Sequence, residues 1–79
     1  MYLGVKTVKP LEDYKLLLTF ENNEAREFDM KGYLNKGVFM ALQDKQVFQQ
    51  VRVSFDTIEW PNGADFDPEL LYDESQAIT

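Results

Sequence analysis

Tyr14-Lys15-Leu16-Leu17-Leu18-Thr19-Phe20-Glu21-Asn22-Asn23-Glu24-Ala25-Arg26-Glu27-Phe28-Asp29-Met30 is the stretch that sets the fold. Tyr14, Leu16, Leu18 and Phe20 alternate with Lys15, Leu17 and Thr19, so one face of a β-strand is apolar. Leu17 predicts partial cover on the second face. Arg26, Phe28 and Met30 share one side of the returning segment. A two-residue loop at Asn22-Asn23 would pair Leu18 with Glu27 and Leu16 with Asp29, setting two carboxylates on the apolar face. A three-residue loop with a bulge pairs Phe20 with Glu24, Leu18 with Arg26, Leu16 with Phe28 and Tyr14 with Met30. Register follows the hydrophobic pattern, which favours the second pairing. Asn23 then takes the left-handed position of a type I turn with a G1 bulge.

Upstream, residues 2–9 alternate weakly, with Leu3, Val5 and Thr7 against Gly4, Lys6 and Val8. They predict a strand stopped by Pro10, with a turn at Leu11-Glu12-Asp13. Downstream, Asp29 to Lys36 leaves the sheet. Phe39 and Leu42 stand three apart in Gly37–Leu42, a helical spacing. Asp44 is placed to cap a second short helix, Lys45 to Gln50, with Val47 and Phe48 as its apolar contacts. Val51, Val53 and Phe55 alternate with Arg52, Ser54 and Asp56 in a further strand. A turn at Asp56-Thr57 would return the chain through Ile58 and Trp60. Pro61-Asn62-Gly63 ends that strand. Asp67-Pro68-Glu69 reads as a helix N-terminus, with Asp67 as cap, Pro68 at the first helical position and an acid in the first turn.

The expected fold is α+β: a small antiparallel sheet of four to five strands with two or three short helices. Residues 1–73 form one domain, and the polar residues 74–79 are expected to fray. A chain of 79 residues buries a modest core, so a homodimer is a natural way to add stability.

Composition excludes much chemistry. The chain has no Cys and no His, which removes disulfides, thiolate or imidazole metal sites and Ser-His or Cys-His nucleophile pairs. Asp65, Asp67 and Glu69 have the spacing that opens a calcium loop. The glycine and the final bidentate Glu of such a loop are missing, so no metal site is expected. The four Gly are isolated, and no phosphate loop exists. No cofactor and no catalytic residue are assigned. No segment has the ~20 apolar residues of a membrane span, and the N-terminus lacks the apolar core of a secretion signal. A cytoplasmic, bacterial setting is expected.

The net charge of −6 is uneven. Through Arg52 there are eight basic and seven acidic residues; after it come Asp56, Glu59, Asp65, Asp67, Glu69, Asp73 and Glu74 with no basic residue. Direct nucleic-acid binding is disfavoured, because phosphate contacts require clustered Lys and Arg. The acidic third is either a solvated face or a surface for a basic partner. Trp60 closes either a core strand or a partner contact.

Trp60-Pro61-Asn62-Gly63-Ala64-Asp65 followed by Asp67-Pro68-Glu69-Leu70-Leu71-Tyr72, after the hairpin and the Phe39, Leu42, Phe48 and Val51 positions, resembles the small bacterial family catalogued as domain of unknown function 2442. The resemblance covers nearly the whole chain and implies a compact α+β domain with an antiparallel sheet. It implies no established activity, cofactor or substrate. Members stand alone, are joined to a helix-turn-helix domain, or are encoded beside a small protein in pairs that look like toxin–antitoxin modules. No helix-turn-helix segment is present here.

The expected function is a non-catalytic protein-interaction or regulatory module, antitoxin-like, with a small basic partner. Its candidate surface is Trp60, Asn62, Asp65, Asp67, Glu69, Tyr72, Asp73 and Glu74. The alternative is a small-ligand-binding domain with an aromatic-edged pocket near Tyr14, Trp60 and Tyr72.

Overall fold

The computed structural model describes residues 3–78. Its strands are β1 (Val5–Pro10), β2 (Lys15–Phe20), β3 (Ala25–Asp29), β4 (Arg52–Ser54), β5 (Thr57–Glu59) and β6 (Gln76–Ala77). The helices are α1 (Lys45–Phe48) and α2 (Pro68–Glu74), with 3-10 segments at Glu12–Tyr14 and Gly37–Gln43. Two sheets result, a four-stranded antiparallel one in the order β1-β2-β3-β6 and the two-stranded β4-β5. This is an α+β fold.

The first hairpin carries the register that the hydrophobic pattern selects. Leu16 lies opposite Phe28 and Leu18 opposite Arg26, while the Met30 amide donates to the Tyr14 carbonyl at 2.9 Å. Leu16, Leu18 and Phe20 are fully buried. Asn23 has φ 67, a backbone that glycine adopts without cost. Asn23→Gly is therefore expected to leave stability unchanged or raise it slightly in urea unfolding; a loss above ~1 kcal/mol would overturn that account of the turn.

Two readings of the first strand are corrected. β1 runs through Pro10, which lies opposite Leu16; an edge strand tolerates the missing amide. A bulge between Val5 and Thr7 also puts Val8 on the same face as Val5, where simple alternation opposed them, and Val8 packs against the core. Tyr2, at the start of the predicted strand, lies outside the described residues.

The second hairpin turns one residue early. Ser54 pairs with Thr57, so the loop is Phe55-Asp56, with φ 49 and 69. A two-residue loop with both residues left-handed matches the twist of the strands, and a β-branched Thr57 would be strained there. Phe55 thereby leaves the strand face and becomes 97% exposed. A left-handed backbone costs an ordinary L-residue roughly 1–2 kcal/mol.

The tail also differs from expectation. Gln76–Ala77 forms β6 against Glu27 and Arg26, and Ile78 donates its amide to Ala25 at 3.2 Å. Ser75 is buried, so the chain docks where fraying was expected. Thr79 lies outside the described residues.

One core unites both sheets and the helices, including Leu16, Phe28, Leu42, Phe48, Trp60 and Leu71. Asp44 caps α1 through Gln46 N at 2.9 Å, and Asp67 caps α2 through Glu69 N at 2.9 Å with Pro68 in the first turn.

Candidate functional site

The segment from Trp60 to Glu74 is built for shape first. The Trp60 indole Nε1 donates to the Phe48 carbonyl at 2.9 Å, and its ring is 1% exposed. Trp60 is therefore a core residue and leaves the candidate surface: an indole whose N–H has a protein partner gains most when sealed from water. The next turn closes with Gly63 N donating to Trp60 O at 3.0 Å and Trp60 N to Ala64 O at 2.9 Å. Gly63 has φ 90, which only glycine adopts freely. Asn62 holds the turn with its own side chain, accepting from Ala64 N at 3.1 Å and donating to Val38 O at 3.2 Å. Asp65 bridges Glu59 through its backbone while its side chain stays exposed.

Tyr72 is committed within the chain. Its hydroxyl donates to Glu24 Oε1 at 2.8 Å, and its ring packs edge-on against Phe20 at 5.1 Å. The Arg26 guanidinium lies over the same ring at 4.3 Å. Arg26 also donates to the Ser75 hydroxyl and carbonyl, both at 2.7 Å, and pairs with Glu24. These four side chains clamp α2 and β6 onto the β2–β3 hairpin. The Tyr72 hydroxyl, and then Arg26, hold the Glu24 carboxyl below its ordinary pKa of 4.5. Glu24 in turn pushes the Tyr72 phenol above its ordinary 10.0. Sequence reasoning missed Arg26, Glu24 and Ser75, because nothing local reveals a contact forty-nine positions away.

The remaining candidates lie along one loop and helix. Asn62, Asp65, Asp67, Glu69, Asp73 and Glu74 are all exposed. Among the described residues, ion pairs join Lys15 with Glu27, Arg26 with Glu24, Lys31 with Asp13 and Asp29, and Arg52 with Glu59. None involves an acid between Asp65 and Glu74. Among the described residues, no three carboxylates stand close enough to share a metal ion.

Elsewhere, a cleft of about 620 Å³ opens where β1 ends, walled by Pro10, Leu11, Tyr14 and Phe48 together with the polar Glu12, Asp13, Lys45 and Gln49. Tyr14 is its edge, donating its hydroxyl to the Gln43 carbonyl and meeting Phe48 edge-on at 5.4 Å. Asp13 and Tyr14 are both left-handed, φ 63 and 59, so the rim is held in an uncommon backbone state. Trp60 and Tyr72 do not line this cleft, and the three aromatics of the expected ligand pocket do not meet in it.

The family described as protein of unknown function (DUF2442) matches residues 5–77. The chain belongs to the DUF2442 family. No curated protein matches it, and no solved structure does. In this DUF2442 chain most of the signature segment has an architectural task, since Trp60, Asn62, Gly63, Asp67 and Pro68 each fix a core contact, a turn or a helix start. The side chains of Asp65, Glu69, Asp73 and Glu74 take no part in the hydrogen bonds among the described residues.

Proposed function

We propose that this chain is a non-catalytic protein-interaction module whose Asp65–Glu74 segment binds a basic partner protein. One observation supports the reading above others: the acids of that segment are exposed and free of ion pairs among the described residues, while Lys15, Lys31, Arg26 and Arg52 are each matched with a local carboxylate. Asp67 and Glu69 open α2, and Asp73 and Glu74 close it. Carboxylates in the last turn oppose the helix dipole, so Asp73 and Glu74 contribute nothing to the helix that carries them. A cationic partner surface would offset both that cost and their mutual repulsion. The setting that goes with this reading is the bacterial cytoplasm, and the class is a regulatory protein of antitoxin type with a small basic partner. No helix of the described residues is long and apolar enough to cross a membrane.

The test is affinity co-purification of the tagged chain from its own organism at low and high salt. The expected result is a stoichiometric small basic protein that is lost at high salt. Reversing Asp65, Asp73 and Glu74 together to Lys is expected to weaken that complex roughly tenfold or more at low salt, with an unchanged far-UV spectrum. A complex indifferent to both salt and charge reversal would remove the acidic segment from the interface.

A further inference from the structure

We propose that the sheet face turned away from the helices is the contact between two copies of this chain, packed sheet on sheet about a two-fold axis that runs along β2. The inference does not rest on the reading given above, because α2 packs on the other side of the sheet.

Strand pairing places the residues of this face in rows, since directly opposed residues of an antiparallel pair share a face. One row is Lys9, Leu17, Glu27 and Gln76, crossing β1, β2, β3 and β6. The next is Thr7, Thr19 and Ala25. Ile78 extends it, donating its amide to the Ala25 carbonyl at 3.2 Å. The opposite face holds Leu16, Leu18 and Phe28, which share one core with Phe48 of α1 and Leu71 of α2.

A sheet face that serves only water alternates with the core face by carrying polar side chains. The middle of this one departs from that rule. Leu17 stands outside the core cluster of the described residues, and Ile78 is 50% exposed. With Ala25 and the Thr19 methyl between them, they form a strip of aliphatic groups that the helices of the same chain leave uncovered.

Charge selects a second copy and fixes the axis. Leu17 and Thr19 lie on β2, with Lys9 one strand to one side and Glu27 one strand to the other. The opposite charges therefore stand about 10 Å apart across Leu17. Rotation by 180° about an axis along β2 stacks two such faces and exchanges their sides. Lys9 then faces Glu27 of the partner subunit, and both ion pairs form together, as an isologous interface requires. Leu17 and Thr19 meet their own counterparts on the axis. An axis across the strands would instead set Lys9 against Lys9 and Glu27 against Glu27. Lys9 has no ion pair among the described residues. Glu27 engages Lys15 through Oε1, at 3.7 Å, which leaves its second oxygen for the new pair. Lys15 also meets its counterpart on the axis, and the same Glu27 offsets that repulsion within each copy. Stacked sheets lie ~10 Å apart, a gap that one Lys and one Glu side chain span together.

Three strands overlap in this arrangement, about 14 Å by about 17 Å. That area falls below the ~1,200 Å² of a standard interface, so association is weak, with Kd on the order of 100 μM. Both copies keep their helices on the outside of the sandwich.

Sedimentation equilibrium from about 10 μM to about 1 mM brackets that value. The expected result is a monomer–dimer equilibrium that Leu17→Glu weakens at least tenfold, because the two new carboxylates face each other on the axis. The axis is tested by charge exchange. Lys9→Glu and Glu27→Lys are each expected to weaken self-association at least fivefold. An equimolar mixture of the two is expected to recover the parent's affinity, because each contact then joins opposite charges again. Urea unfolding of each variant shows that the monomer still folds, and Lys9→Glu changes an exposed position on an edge strand. A parent chain that stays monomeric to about 1 mM would overturn the proposal and leave the strip to a different protein. A dimer indifferent to Leu17→Glu would overturn this face as the contact. A mixture no tighter than either variant alone would overturn the axis along β2.

Discussion

Trp60→Ala will lower the unfolding free energy by about 4 kcal/mol, the midpoint of the ~3–5 kcal/mol cost of truncating a core Trp. The indole is buried on all sides, with Phe48 at 6.3 Å and Phe66 at 6.2 Å between ring centroids. Its loss opens a cavity between α1, β5 and the turn after β5. It also strands the Phe48 carbonyl, whose partner is the indole N–H; an unpaired buried polar group costs ~1–3 kcal/mol within that total. A 79-residue domain has only ~4–12 kcal/mol of stability, so this one change removes a large share. Trp60→Phe keeps most of the ring and loses the hydrogen bond, and is expected to cost about 2 kcal/mol. Urea unfolding followed by far-UV circular dichroism reads both variants. A cost below ~1 kcal/mol for the alanine variant would show that the ring is not a packing centre.

Arg26→Ala is expected to cost about 2–3 kcal/mol and to release the chain after α2. The guanidinium makes two bonds to Ser75 and covers the Tyr72 ring; charge-assisted bonds and a partly buried cation–π contact together justify that magnitude. The discriminating measurement is amide hydrogen exchange. Ile78, whose amide is held by Ala25, should exchange much faster in the variant, while amides of β2 change little. Uniform acceleration would mean that Arg26 supports the whole domain and not its last strand.

The same clamp sets two pH limits. Glu24 is held below 4.5, by Tyr72 first and Arg26 second, so its contribution is complete above that pH and is lost as the pH falls through the lowered folded value. The Tyr72 phenol is raised above 10.0 by Glu24, so its contribution is complete below pH 10.0 and is lost as the pH rises through the raised value. Thermal unfolding across pH should show both limbs. Glu24→Gln should flatten the acid limb, and an acid profile identical to the parent would remove Glu24 from the account.

The sheet was legible where periodicity and turn chemistry agree. Leu16, Leu18 and Phe28 declared one face and Asn23 a left-handed turn, so strand pairing and register followed together. Asp44 and Asp67 were legible as caps because capping is local. Alternation failed at two places where the backbone departs from a plain strand. The bulge before Thr7 reassigns Val8, and the early turn carries Phe55 out of β4. Two-residue hairpin counting from Ser54 and Thr57 would have found the latter, although a phenylalanine in a left-handed turn is an improbable choice on propensity alone. For the candidate surface, sequence identified the acids and not their isolation. Charge order along the chain says nothing of which bases are already taken, and the partners of Glu24 and Arg26 come together only in three dimensions.

The remote latch has a consequence for how the molecule is made. β1, β2 and β3 join through short connections, so the meander can assemble early, whereas β6 must return to Arg26 across some fifty positions, and non-local pairings form late. Until then the outer edge of β3 is open, the kind of template on which a second nascent chain could add. That edge reads Arg26-Glu27-Phe28-Asp29. Glu27 and Asp29 put two carboxylates on one face of this short strand, and like charges on an open edge disfavour such addition, so Glu27, which later receives the last strand, also guards the unfinished sheet against aggregation.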